Sequence, residues 1–429
     1  MQNTKLYAAF LVLVILAGIF SLSPAISPLT SSVVLRGNRG EFLIRGYARS
    51  GSARDIQEAV DWVAGDGGIG NVYIPEGTFN FVEVGETWKT VNVPAGVNLF
   101  GAPTEKDGDG QVIQWNTVLV MPSEVPGSDA VGIPAWFKIN GAGDPTKPSR
   151  FSDIKLVGYR SINSSSTSMH KAIAVTGVVD FRIDHNYFLD CTAGISVLAA
   201  SKNGAIRGVI DHNRLVNTVG DPGYALYADR TLDYGVMPAR TWDSDYWDSN
   251  ITNVVGHYTD YSIYIEDNYF SRWRHNFCSN NGMHTVFRHN IVVDDNGICL
   301  DAHGTYTKVG TRAMEIYDNQ FLDPNYEYEL QPNVVNWRGG GGVFFNNTMR
   351  DWYFTVYWRD EGSQWPQGYP GSTDCPVCFW SNTYLTGGTH YDQPVQFESG
   401  SHVGSNVYID QGAMPNYTPY TYPHPLTLT

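Results

Sequence analysis

Charge is scarce in this sequence, and cations most of all. Only 17% of the 429 residues are Asp, Glu, Lys or Arg, and 28 basic residues face 43 acidic ones, a net charge of −15. That balance excludes nucleic acid and anionic membrane surfaces as partners. It also means that a polyanionic substrate would need a local basic patch or a bridging cation. Long hydrophobic runs are missing after residue 25, so nothing beyond it can cross a membrane as a helix. Helical periodicity is confined to one segment, and the leucine framework of leucine-rich repeats is absent. Cysteine is limited to five residues, an odd number that leaves one thiol over in an exported chain. No Cys or His spacing is diagnostic of a metal site.

What is present is a repeat. Asn186, Asn213, Asn268, Asn290, Asn319, Asn347, Asn382 and Asn406 share one frame. Three residues before them stand Ile183, Ile210, Ile265, Phe287, Ile316, Phe344, Phe379 and Val403; two after stand Phe188, Leu215, Phe270, Val292, Phe321, Met349, Tyr384 and Tyr408. Most spacings fall between 22 and 29 residues, the period of a solenoid in which each unit buries its apolar face against its neighbours. The segments before each Asn are short, β-branched or aromatic, and bounded by Gly, Asn and Asp, which reads as strand then turn. A repeated Asn in a turn tolerates left-handed backbone angles and can bond its amide to the Asn of the next coil. The fold class is therefore all-β: a single-stranded, right-handed parallel β-helix with coils about 4.8 Å apart.

Residues 1–25 combine Lys5, an apolar run from Leu6 to Phe20 and small residues at Ser21, Ser23 and Ala25. This is the pattern of a secretory signal peptide, with an uncleaved N-terminal anchor as the alternative and the only route to a membrane. The chain is expected to be secreted or held at the cell surface. Residues 26–50 read as a linker, 51–410 as the β-helix and 411–429 as a C-terminal tail. In Ser52 to Ala64, Ile56, Ala59, Val60 and Val63 form one apolar face, and Ser52 with Asp55 makes a capping-box pattern. An amphipathic helix at that point caps the open end of a solenoid.

Ile56-Gln-Glu-Ala-Val60, Gly67-Gly68, Val72-Tyr-Ile-Pro-Glu-Gly77 and the turn from Gly96 to Gly101 resemble the opening motif of pectate-lyase-like β-helix proteins. The resemblance covers residues 52–102 and implies the fold. That superfamily contains polysaccharide-degrading enzymes beside tailspikes and surface proteins. The signatures of true pectate lyases and the paired-Asp motifs of polygalacturonases do not occur in their usual form.

Two insertions interrupt the repeat, near 224–261 (with Trp242 and Trp247) and 352–380 (with Trp358). Aromatic loops suit sugar rings, which present CH faces and hydroxyl rims; the alternative is that the rings pack the loops onto the wall. The jump of 55 residues from Asn213 to Asn268 signals a hidden coil, a large loop, or both. His185, His212 and His289 immediately precede a repeat Asn, so repeat geometry explains them. The off-frame polar residues are Arg274, His275, Asn281, His284, Asp301 and His303, followed by Arg312, Glu315 and Arg338 ahead of a Gly run. Equal offsets from Asn268 and Asn290 would place Asn281 beside His303.

A lyase would use His275 or His303 as base, with Arg274, Arg312 or Arg338 neutralising a uronate. A glycosidase would need two carboxylates, and Asp301 with Asp294 or Asp295 are the nearest. Asn281, His284, Arg312, Glu315, Trp242, Trp247 and Trp358 would contact substrate. The alternative is that Arg and His pair with acidic turn residues and stabilise the stack. An acidic ladder four residues past the Asn, including Asp294 and Asp323, offers oxygen ligands to calcium, the candidate ion, or else consists of solvated turn carboxylates. No other cofactor is implied. Cys375 and Cys378 are expected to form a short-loop disulfide, and Cys278 and Cys299 to stack on adjacent coils, bridged or buried. The expected function is an exported polysaccharide lyase or glycoside hydrolase acting in a groove on the solenoid wall. The alternative is a non-catalytic glycan-binding, adhesive or structural surface protein.

Overall fold

Strands of two to six residues, ended by residues that accept positive φ, cannot bury a core alone and must stack. The computed structural model describes residues 35–36, 42–65, 68–86, 90–122, 135–158, 171–191, 193–200, 204–218, 234–239, 255–273, 275–279, 282–294, 298–302, 311–324, 333–352, 354–358, 376–385, 393–397 and 407–429. The unit is plain between Ser262 and Ala302. Ser262–Glu266, Tyr269–Ser271 and His275–Ser279 are followed by His284–Arg288, Ile291–Val293 and Ile298–Ala302. The first strand of each cycle joins a 13-stranded sheet (sheet I), the second a 10-stranded sheet (II) and the third another 10-stranded sheet (III). Described pairings are parallel except Leu35–Arg36 with Phe42–Tyr47 and the hairpin of Glu105–Lys106 with Val112–Gln114. This is a parallel β-helix, as the repeat and the opening motif imply.

The Asn frame is the spine. Each ladder amide donates to the side-chain oxygen of the next coil, from Asn186 to Asn213 (3.1 Å) through Asn268, Asn290 and Asn319 to Asn347 and Asn382 (3.2 Å). The same oxygens accept the backbone N–H of the preceding coil's Asn, as Asn290 does for Asn268 at 3.0 Å. The left-handed angles expected of the Asn belong instead to the residue before it, His185, His212, Asp267, His289, Asp318, Asn346 and Ser381. A second left-handed set falls four after, at Asp190, Arg272, Asp294, Asp323 and Asp351. The acidic ladder is thus first a backbone requirement, because Asp reaches this region with a local hydrogen bond to help it. Inside, the two apolar columns run in register, Ile183 to Ile210 to Ile265 in sheet I and Phe188 to Leu215 to Phe270 in sheet II. Each fully buried side chain of this kind contributes roughly 1.5–3 kcal/mol of transfer free energy.

The 55-residue spacing contains no hidden coil. Arg207–Asp211 pairs directly with Ser262–Glu266 in sheet I, and Tyr234–Ala239 supplies that coil's strand in sheet III. At the N-terminal end, α1 (Ala53–Gly65) buries Ile56, Ala59, Val60 and Val63. The Asp55 N–H donates to Ser52 Oγ at 3.3 Å, and Gln57 bonds the Asn92 backbone at both ends of its amide. Gly46 lets the helix close on the sheet, since a Cβ there would stand 2.9 Å from Val63. Cys378 is buried in sheet I, and Cys375 lies outside the described residues, as does residues 1–34 with their expected signal.

Residues 411–429 are a strap across sheet I. Arg288, fully buried, pairs with Glu266 and donates to the Tyr420 and Thr421 carbonyls at 2.7 and 2.8 Å. The His424 N–H donates to Glu266 at 2.8 Å, and burial pushes the His424 imidazole down to about 4, so it packs as a neutral ring. Arg150 and Arg182 donate to the Thr429 carbonyl oxygen at 3.2 and 3.3 Å.

Asn268→Ala removes donors to the Ile210 and Glu266 carbonyls and the acceptor for Asn213. A loss of about 3 kcal/mol is expected in denaturant unfolding, because buried backbone groups are left without partners. Asp184 gives a pH test. Burial pushes its carboxyl up, but hydrogen bonds from His185 and Arg150 outweigh that and hold it at about 2, below 3.8. Its folded value is depressed, so its stabilisation is complete above pH 3.8 and is lost as pH falls through about 2. The Tm difference between the native protein and Asp184→Asn should therefore shrink over that window.

Candidate functional site

Parallel strands in register point aligned side chains the same way, which turns four separate segments into one row. Cys278 is opposite Asp301, Asp301 opposite Asn336, and Asn336 opposite Tyr357, on adjacent strands of sheet III. The Asp301 carboxylate, 1% exposed, accepts from the Arg338 guanidinium through both oxygens, with Arg338 Nε at 3.0 Å. The Cys278 thiol donates to Asp301 Oδ2 at 3.9 Å. Asn336 is buried, and its Oδ1 has no hydrogen-bond partner. His275 sits at the start of the Cys278 strand with Nδ1 2.6 Å from the Ile298 carbonyl. Farther along the same sheet stand Lys138 and Lys171, both buried; burial pushes the Lys171 ammonium down to about 8. Thus Asp301 and Arg338 are in contact, and His275 lies on the neighbouring strand of the same sheet, against Ile298.

The remaining site expectations divide. His284 and Glu315 do not face a groove: both are fully buried in sheet I, where Ser262 Oγ, His284 and Glu315 form a chain of two 2.8 Å bonds. Glu315 also accepts from the Gly256 N–H and the Tyr417 hydroxyl, each at 2.6 Å, so the strap seals it. Arg312 is buried too, and its backbone N–H bonds the Met283 carbonyl. Trp358 is 2% exposed and aligned with Trp337 in the core, so it packs rather than contacting a ligand. The Gly run serves backbone packing, for a Cβ on Gly342 would lie 1.8 Å from the Met314 carbonyl oxygen. Asp294 pairs with Arg272, and Asp323 with Arg350 at 2.8 Å. Among the described residues, no three His, Cys, Asp or Glu converge on a point where an ion could sit. Arg274, Asn281, His303, Trp242 and Trp247 lie outside the described residues.

The equal offset assumed for Asn281 and His303, both outside the described residues, does not hold in the described part of sheet III. Sheets I and II pair these coils at an offset of 22 residues, but sheet III pairs Ser279 with Ala302, an offset of 23. One extra residue enters the coil after Val293. The same shift puts Cys299 beside Asn276, whose amide donates to its sulfur at 3.2 Å, and not beside Cys278. Sequence reasoning missed Cys278, Asn336 and Lys138 as members of this face. A polar or basic residue inside an otherwise apolar strand, as in Ala135-Trp-Phe-Lys-Ile-Asn140, was the available signal.

No protein-family profile matches the sequence, and no curated protein does. Among solved structures, the chain is similar to DFA-IIIase from Arthrobacter chlorophenolicus A6, with 10% identity, 84% of this chain and 89% of that one covered, and a TM-score of 0.45. It is similar to the GH136 lacto-N-biosidase from Eubacterium ramulus at 9% identity, 76% and 62% coverage and a TM-score of 0.39. It is also similar to PfbA, a surface adhesin of Streptococcus pneumoniae, at 12% identity, 81% and 93% coverage and a TM-score of 0.39.

Arg338→Met deprives a buried carboxylate of its guanidinium and should cost about 3–5 kcal/mol. Adding Asp301→Leu should recover most of that loss. Equilibrium unfolding of the two variants measures the coupling.

Proposed function

We propose that the protein is an exported, carbohydrate-active β-helix protein that receives a polysaccharide on the sheet III face around Asp301. The coil is read as right-handed, the hand of strand–crossover–strand connections, with α1 closing its N-terminal end. The observation that carries the reading is the row Cys278, Asp301, Asn336 and Tyr357, with Arg338 over it and the Asn336 oxygen without a donor. Closely spaced acceptors and donors of this sort suit a ligand made of hydroxyl groups, each of which both donates and accepts.

Within that reading, the chemistry favours a lyase over a hydrolase. A glycosidase needs two carboxylates flanking the bond, whereas the described part of this row offers Asp301 alone, and Arg338 engages it. A lyase needs an arginine to neutralise a uronate and a base to take the α proton, and Arg338 and His275 are the residues proposed for those roles. The bond between Asp301 and Arg338 would then orient the guanidinium. Non-catalytic glycan binding at a surface is the second reading, favoured by how completely that pair is closed on itself.

Incubating the purified protein with acidic and neutral polysaccharides, with and without calcium, separates these readings. The expected result is rising absorbance from unsaturated uronates, reduced at least tenfold in kcat by Asp301→Asn. Reducing ends without absorbance would replace the lyase by a hydrolase, and binding without either would leave the glycan-binding reading. Absence of all three ends the carbohydrate assignment.

A further inference from the structure

Outside the corner between sheets I and II lies a cavity of about 410 Å3, away from the sheet III face. Its floor follows the Asn ladder. On one side of the buried Asn column the His185 and His212 rings stack at 5.1 Å, followed by Asp267 and His289. On the other side stand Tyr187, Arg214, Tyr269 and Ile291, in register on sheet II. The cavity lining on that side runs from Arg214 through Tyr269 to Ile291, two rungs or about 10 Å at the spacing of parallel strands, the length of a disaccharide.

Aromatic rings stand on two sides of the floor, Trp115 in the lining itself and Tyr422 behind His289. Trp115, which follows the Val112–Gln114 strand, is fixed by its Nε1–H, which donates to the His185 carbonyl at 2.6 Å, and its ring packs 5.0 Å from Tyr187. Tyr422 of the strap stacks on His289 at 3.7 Å and donates its hydroxyl to Asp267 at 2.8 Å. Arg214 is exposed and lies over Tyr269 (4.5 Å) and Tyr187 (5.7 Å). Lys155 lies over the other side of Tyr187 at 4.8 Å. Among the described residues, neither cation forms an ion pair with a carboxylate, in a chain whose net charge is −15.

We propose that this corner groove is a binding site for an acidic oligosaccharide, with Arg214 taking a uronate carboxylate and the Trp115 and Tyr269 rings packing against sugar faces. The aromatic stack holds the guanidinium edge outward, where its fork matches a carboxylate in two parallel hydrogen bonds. Asp267 and the ring nitrogens of His212 and His289 supply acceptors and donors for hydroxyls along the same floor. The site shares no residue with the row around Asp301, so it stands whether or not that face is catalytic.

Calorimetric titration of the full chain with a galacturonate tetrasaccharide, and with the same sugar reduced to its neutral form, tests the assignment. The acidic sugar should bind at least tenfold more tightly than the neutral one. Arg214→Gln should abolish that preference, and Trp115→Ala should weaken both sugars. Equal affinity for the two sugars, an unchanged preference in Arg214→Gln, or no binding of either sugar overturns the proposal. Arg214 is exposed, so this variant decides the matter even if Trp115→Ala fails to fold.

Discussion

The structure depends on a hydrogen-bond relay that never leaves the Asn column. Each buried carboxamide closes the backbone of its own turn, donates to a carbonyl of the coil before it and accepts from that coil's Asn. A turn repeated on every coil would otherwise bury unsatisfied amides on every coil, and none of the flanking side chains reaches them all. The relay fixes where sheet I ends and sheet II begins, and hence which residues stand outside that corner. The histidine and aspartate column, the tyrosine and arginine column and the groove between them are consequences of it.

The fold was largely legible because its determinants are local and repeated. The apolar positions three before and two after each Asn are those that stack in register, and Ser52 with Ile56, Ala59, Val60 and Val63 gave the helix. The site was legible only in part. Asp301 and Arg338 meet because their strands are neighbours in sheet III, Asp301 standing opposite Asn336 two residues before Arg338, although neither keeps the other's distance from its ladder Asn. The equal offsets behind the pairing expected of Asn281 and His303, which lie outside the described residues, do not carry into sheet III, because a single extra residue after Val293 changes the offset there while sheets I and II keep theirs. His284 and Glu315 looked off-frame and polar, and nothing local to them reveals the chain some hundred residues later that covers them. Backbone φ at one position and contacts at long range are the two things a repeat pattern does not encode.

Beyond the exposed turn pairs, charge among the described residues is deployed in three further ways. Arg150 and Arg182 bind buried aspartates on sheet I, and Arg288 binds Glu266 beneath the strap. Asp301 and Arg338 form a polar island on sheet III. Arg214 and Lys155 rest on tyrosine rings instead of carboxylates. Only the last arrangement keeps its cations available to something outside the chain, because an ion already paired in a dry setting has little left to offer.

The strap also bears on the order of events during synthesis. The Thr429 carbonyl oxygen receives hydrogen bonds from arginines 279 and 247 residues earlier, and the buried Arg288 finds two of its acceptors more than 130 residues downstream. Coils can assemble one on another as the chain emerges, each on the last, so most contacts form early and cheaply. The sheet I face cannot be finished until residues 420–429 have been made and have docked. A chain emerged only to about residue 410 would hold wound coils whose Arg288, Arg182 and Arg150 still lack their strap acceptors, so closing the strap, and not stacking the coils, is the late step on this face.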